Sequence, residues 1–267
     1  MFETVSDNGL RYFRFETLPR KLSHGVLSRQ GGVGRAPFES LNLSSSVADA
    51  PSVYEENRRR AYGEFGRSTS TLVHAHLVHD NHVARVAKNN HGEVIPFIDA
   101  LVTNDPGCGL TMNYADCAPI LLYDPVHHAL GLGHAGWQGT VRNIPGAMVT
   151  AMRAAFDSDP ADLIGAVGPC ISVDIYEVGD NVIEAVNESF PDHVDELLIP
   201  QKNGPRPHFD LPKANKINFE NAGVNNVELS GLCTGKRTDL FFSHRAEKGK
   251  TGRFGVVAIL PERSFES

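Results

Sequence analysis
The chain has 267 residues, 41% of them hydrophobic, enough to bury a sizeable core. Its formal net charge of −7 argues against a phosphate-backbone binder, which carries a basic excess or stripe, and no stretch approaches the roughly 20 apolar residues that span a bilayer. The N-terminal MFETVSDNGLRYF lacks the apolar region of a signal peptide, and Cys108, Cys117, Cys170 and Cys233 form no C-x-x-C pair, so a cytoplasmic protein with free thiols is expected.

In chain order, Ser23 to Ser44 reads as a strand, a glycine-rich turn and a loop. Gly31-Gly32-Val33-Gly34 has neither dinucleotide-fingerprint nor phosphate-loop spacing and reads as turn glycines. Pro51 to Phe65 reads as a helix with an acidic first turn ahead of basic residues. Thr71 to His79 alternates, with Val73, Ala75, Leu77 and His79 on one strand face and His74 and His76 on the other. His79 thus ends an apolar row, where a histidine is either a satisfied rim residue or a ligand.

Leu110 to Cys117 reads as a strand stopped by Pro119, which lacks a backbone donor. After the Asp124-Pro125 turn, Ala129 to His134 forms another strand with Leu130, Leu132 and His134 on one face. Gly131, Gly133 and Gly136 are expected to let other backbone come close. Two histidines and a cysteine at three strand ends suit zinc, and three protein ligands leave a position for water or substrate. The same residues are also compatible with a Cys-His nucleophile pair or with unrelated buried side chains.

Val141 to Phe156 reads as a helix whose Ile144, Ala147, Met148, Ala151, Met152 and Ala155 face a core. Asp162 to Val173 reads as a buried strand ending at Gly168-Pro169-Cys170. Cys170 is either a small buried hydrophobe or a ligand, and Glu177 is either a pocket acid or the first-turn carboxylate of a helix over Val178 to Phe190. Pro200 to Phe209 reads as a surface loop, Asp210 to Ala222 as a helix, and Val227 to Cys233 and Val256 to Leu260 as strands. Gly249-Lys250-Thr251 is no phosphate loop, because His244 stands where its first glycine belongs. Arg245 and Arg253 are either anion holders or solvated charges.

These segments resemble a known family. LSRQGGVGRAPFESLNLS, ENRRR, LVH, DALVTN, ADCAP, GHAGWQGT, GPCISVDIYEVG, DLPKANKINFENAGV and FFSHRAEKGKTGRFG follow the order of the laccase-domain or multicopper polyphenol oxidase family. Its members are understood as zinc-containing purine nucleoside phosphorylases with adenosine deaminase activity. The resemblance implies one domain over residues 1–267, α+β, as a three-layer α/β/α sandwich with a mixed central sheet. It implies zinc, with copper as the other candidate metal, on His79, Cys117 and His134. The implied partners are a purine nucleoside (adenosine, inosine, guanosine or methylthioadenosine) and phosphate, with no nucleic acid and no membrane.

Residue type and motif position add Arg29 and Arg245 as candidate phosphate holders, and Asp116 and Glu177 as candidate carboxylates near sugar or base. Asn42, Gln138 and Cys170 are candidate substrate contacts. Two positions depart from the family pattern: Leu77 stands where glutamine is usual, and Gln138 where arginine is usual. A neutral Gln138 lacks the charge-assisted fork of arginine, so weaker phosphorolysis is expected. The alternatives are a copper-dependent phenol oxidase, a Cys117-His134 thiol hydrolase and a non-catalytic nucleoside-binding protein. The first is disfavoured because the chain has one His-Ala-His and no cysteine flanked by histidines.

Overall fold
The computed structural model describes residues 1–202 and 204–262. Among these residues the strands form two large sheets and one short pair. The first sheet runs Phe2–Val5, Arg11–Arg14, Ser23–Leu27, Phe254–Ile259, Gly109–Tyr114, Val73–Ala75, Val94–Ile95. The second runs Asn226–Leu229, Ile164–Val167, Ala118–Asp124, Ala129–Ala135, Ala100–Thr103, Val83–Arg85. Both are mixed: Val73–Ala75 pairs parallel to Gly109–Tyr114, and Ile164–Val167 parallel to Asn226–Leu229, among antiparallel neighbours.

The class is α+β with mixed sheets and outer helices, and the centre is two sheets packed face to face. Strands Ala118–Asp124, Ala129–Ala135 and Phe254–Ile259 are buried at every position, which requires cover on both faces. Between the sheets, Met112, Tyr114, Phe254 and Val256 meet Leu121, Tyr123, Leu130 and Leu132. The far side of the second sheet packs on helices Ile144–Phe156, Asp180–Ser189 and Leu211–Asn221. The far side of the first is covered by Leu41, Leu43 and helix Pro51–Gly63 through Ala61 and Tyr62. The layers are therefore four. Each large side chain buried among them contributes roughly 1.5–3 kcal/mol. No helix is long and apolar enough to cross a membrane among the described residues.

Several local expectations change with the tertiary context. The strand expected to reach His79 ends at Ala75. Pro119 does not stop a strand: it is the second residue of Ala118–Asp124, where a missing donor is tolerated near a strand start. The break falls instead at Asp116, whose φ of 81° turns the chain out of the first sheet and into the second. Gly131 and Gly133 make room for a side chain rather than backbone, since a Cβ there would stand 2.9 Å and 2.6 Å from Cε and Sδ of Met148. Helix Pro51–Gly63 has no acid in its first turn; Glu56 lies in the second and pairs with Arg59 and Arg60 at 2.7 Å. Helix Ile144–Phe156 is separate from Trp137–Val141, and begins at Asn143, whose side chain accepts from Gly146 N–H at 2.9 Å.

Candidate metal centre and its cavity
The seam between the two sheets collects three side chains. His79 lies on the loop after Val73–Ala75 in the first sheet, Cys117 on the crossover between sheets, and His134 inside Ala129–Ala135 of the second. Their donor atoms all lie within 4.8 Å of one another. His79 is exposed, Cys117 half-buried and His134 3% exposed, so the group has an open side and a closed one.

Asp99 aligns this group. It is fully buried and stands just ahead of strand Ala100–Thr103. Its carboxylate accepts backbone N–H bonds from Val78 at 3.1 Å, His79 at 3.0 Å and Asp80 at 2.8 Å, pinning the loop on which His79 adopts φ 61°. It also accepts from Nδ1 of His134 at 3.1 Å, which leaves Nε2 as that residue's ligand atom. Burial raises the Asp99 carboxyl, but His134 and the N–H donors outweigh it and hold it below its ordinary value. Residue types alone do not single out Asp99; the signal is an acid directly ahead of a wholly buried strand.

The electrostatics fit a cation. Burial pushes the Cys117 thiol up, but the imidazoles of His134 and His79 outweigh it and bring it to about 6. Burial likewise pushes His134 down, and Cys117 with Asp99 reverses this and raises it to about 9. A thiolate facing an imidazolium is a donor set from which a divalent ion displaces a proton. Gly136 shows the same fit sterically: a Cβ there would stand 3.0 Å from Cys117 Sγ and 3.2 Å from His79 Nδ1, inside the space between the ligands. The group thus suits a metal by ligand type, convergence and second-layer support.

The triad opens into a cavity of about 810 Å³. Asp116, Gln138 and Arg245 also line it. Both Asp116 carboxylate oxygens are engaged, by Thr234 Oγ1 at 2.6 Å and Arg245 N–H at 2.7 Å, so this residue ties two loops together beside Cys117. Arg245 donates to the Glu177 carbonyl at 2.9 Å and lies over the Tyr176 ring, 5.2 Å from its centroid. The cavity wall adds Arg58, Arg253, Trp137 and Tyr176.

Arg29, Asn42, Glu177 and Cys170 do not line the cavity. The Arg29 guanidinium is engaged by Glu247 at 2.9 Å, by the Glu39 and Thr238 carbonyls, and by the Phe242 ring beneath it. Asn42 is fully buried, donating to Asp49 and the Ser44 carbonyl and accepting from Ser44 and Arg253 N–H, so it positions cavity residues from behind. Glu177 offers its carbonyl to Arg245 while its side chain is exposed. Cys170 is 2% exposed in the core, bridged through its backbone to Cys233, and burial pushes its thiol well up. All four cysteines are free thiols.

Known proteins resemble this chain in sequence and in fold. The chain is similar to purine nucleoside phosphorylase YlmD of Bacillus subtilis, 34% identical over 238 residues, covering 86% of this chain and 85% of the relative. A purine nucleoside phosphorylase of Deinococcus radiodurans is 34% identical over 244 residues, covering 91% of each. The crystal structure of YlmD from Geobacillus stearothermophilus superposes with a TM-score of 0.85 at 30% identity, over 94% of this chain and 99% of that one. That of Bacillus licheniformis hypothetical protein YfiH gives 0.89 at 28%, over 97% and 98%. The profile of the family described as multi-copper polyphenol oxidoreductase laccase matches residues 23–261, through both sheets and all three residues of the triad, and the chain belongs to that family.

Proposed function
We propose that the chain is a zinc-dependent purine nucleoside phosphorylase with adenosine deaminase side activity. The observation that carries this is the His79-Cys117-His134 group opening into a large cavity with a cationic wall, in a chain whose relatives are named purine nucleoside phosphorylases. A His2Cys donor set favours zinc, which when held there supplies a Lewis acid for a polar group of the substrate.

The protein's own residues do the rest. Trp137 and Tyr176 offer aromatic walls to a purine. Arg58, Arg245 and Arg253 face the cavity against a single lining carboxylate, Asp116, among the described residues, which gives an anion-attracting field in a chain of net charge −7. In phosphorolysis a phosphate oxygen bonds to the anomeric carbon as the bond to the purine nitrogen breaks. The electron pair leaves with the base, which takes up a proton. Asp116, fixed by Thr234 and Arg245, holds a carboxylate where positive charge on the sugar is offset. Gln138 brings no charge, so the grip on phosphate falls to the arginines.

The test is an assay of purified zinc-loaded protein with adenosine and inosine, with and without phosphate, separating the products by chromatography. Phosphate-dependent adenine or hypoxanthine is expected, with some inosine from adenosine in either condition. Cys117→Ala is expected to lose metal and activity together; full activity in metal-free protein overturns the reading. The half-buried Cys117 with its lowered thiol supports a second reading, a thiol nucleophile served by His134. Alkylation of Cys117 at equal rates with and without metal would favour it. A phenol oxidase with several coppers is disfavoured, because one His/Cys/Asp/Glu group of ligand geometry is present among the described residues.

A further inference from the structure
The cavity extends far beyond the metal triad, and at about 810 Å³ it lies toward the upper end of small-molecule sites, roughly 300–1,000 Å³. Its lining includes residues of two neighbouring strands of the first sheet. There His74 and Thr111 sit in register on the parallel strands Val73–Ala75 and Gly109–Tyr114. They precede His79 and Cys117 by five and six residues. At about 3.3 Å per residue of extended chain, that puts them at most roughly 16–20 Å from the triad.

This inner end holds polar atoms that the fold does not use. Thr111 is 1% exposed, and its Oγ1 and the facing, fully buried Tyr62 hydroxyl each lack a well-formed hydrogen bond among the described residues. Two residues on, on the same face and nearer the triad, Asn113 Oδ1 is also buried and unpartnered. Both line the cavity. A buried hydroxyl or amide left without a partner destabilises a fold, so two at one cavity wall point to a ligand that satisfies them.

Arg58 supplies charge at the same end. Its Nε donates to the Leu43 carbonyl at 2.7 Å, and its guanidinium lies over Tyr54 at 5.2 Å, which fixes the group while its terminal amino groups keep donors to spare. Ser44, 5% exposed, shares a hydrogen bond of 2.8 Å with Ser46, and both line the cavity. His74, 8% exposed, places Nε2 on the Thr69 carbonyl at 3.3 Å.

We infer that this inner end is a phosphoryl-binding subsite, with Arg58 providing charge, Thr111 and Ser44 donating hydroxyl hydrogens to phosphoryl oxygens, and Asn113 Oδ1 accepting from a sugar hydroxyl on the metal side. The inference deepens the proposed function and rests on it for the sugar. Two sources share the chemistry: inorganic phosphate as co-substrate, or a phosphate carried on the 5′ position of the nucleoside.

The experiment is calorimetric titration of metal-loaded wild type, Thr111→Val and Arg58→Gln with inorganic phosphate, adenosine and adenosine 5′-monophosphate, beside thermal melts. Thr111→Val is expected to leave the melting temperature close to that of the wild type, since the Thr111 and Tyr62 hydroxyls make no well-formed bond, while weakening phosphoryl binding about tenfold. Arg58→Gln is expected to weaken it about 10–100-fold. Loss with inorganic phosphate assigns the subsite to the co-substrate. Loss with the monophosphate alone, and none with adenosine, assigns it to a 5′-phosphate. Wild-type affinities in both variants, or no phosphoryl binding by the wild type, overturn the inference. Because calorimetry needs no turnover, binding that depends on Arg58 and Thr111 without any phosphorolysis would keep the subsite and remove the phosphorylase reading.

Discussion

Gly136 and Asp99 show how two residues that are not themselves ligands set the quality of the centre. Gly136 has φ −74° and ψ 179°, a conformation open to any residue, so alanine is excluded only by the ligands its Cβ would meet. Gly136→Ala is therefore expected to fold normally and lose bound metal. Asp99→Asn is expected to cost about 10–100-fold in metal affinity, because an amide cannot accept from His134 and three backbone N–H groups at once. Competitive chelator titration with a melt of each variant checks both. Unchanged affinity in Asp99→Asn would reduce that residue to a loop anchor. At this scale residue chemistry nominated the group without deciding it: a cysteine and two histidines suit zinc, the same residues also suit a Cys-His pair, and the family resemblance chose between them.

The segments that carry the cavity wall are held by a few internal bonds rather than by regular structure. Glu247 accepts from Ser243 N–H at 2.9 Å and Thr251 Oγ1 at 2.6 Å with one oxygen, and from Arg29 at 2.9 Å with the other. It thereby braces the turn from which Arg245 and Arg253 reach the cavity. Glu247→Ala leaves the largely buried Arg29 charge uncompensated and is expected to cost about 3 kcal/mol of stability. KM for phosphate should rise more than kcat falls, because positioning of the two arginines is what is lost. A denaturant melt and steady-state kinetics test this; stability at the wild-type level would show that the brace is redundant. Gly249-Lys250-Thr251, unmarked as a motif, has its meaning here as the far side of that brace. Arg29, a phosphate candidate by residue type, is one of its members. Residue type alone does not distinguish an arginine that faces a cavity from one neutralised beneath it.

For the whole molecule, the buried His24 contributes to the acid limit of stability. His24 is 1% exposed, accepts from Phe15 N–H at 3.0 Å, and is lowered by burial to about 4. The unfolded chain therefore binds its proton first. The contribution of His24 is complete above about pH 6.5, falls as pH drops toward 4, and amounts to on the order of 3 kcal/mol at the acid end. Unfolding free energy measured against pH should fall through this window, and His24→Gln, which keeps an acceptor for Phe15 but does not titrate, should flatten the fall by up to one proton. Parallel profiles in the two proteins would contradict that account. The sequence by itself determined the helices Ile144–Phe156 and Leu211–Asn221 to within a few residues and the acidic balance, and it offered His79, Cys117 and His134 as residues of ligand type, because periodicity and residue chemistry are read without the fold. Only the tertiary structure decided that the sheet is two sheets, that Cys117 stands on the crossover between them, that Asp99 orients His134 across 35 residues, and that Arg58 and Thr111 share a cavity with the triad. Those facts depend on turns such as the left-handed Asp116 and on pairing between distant strands, and no local period in the sequence carries them.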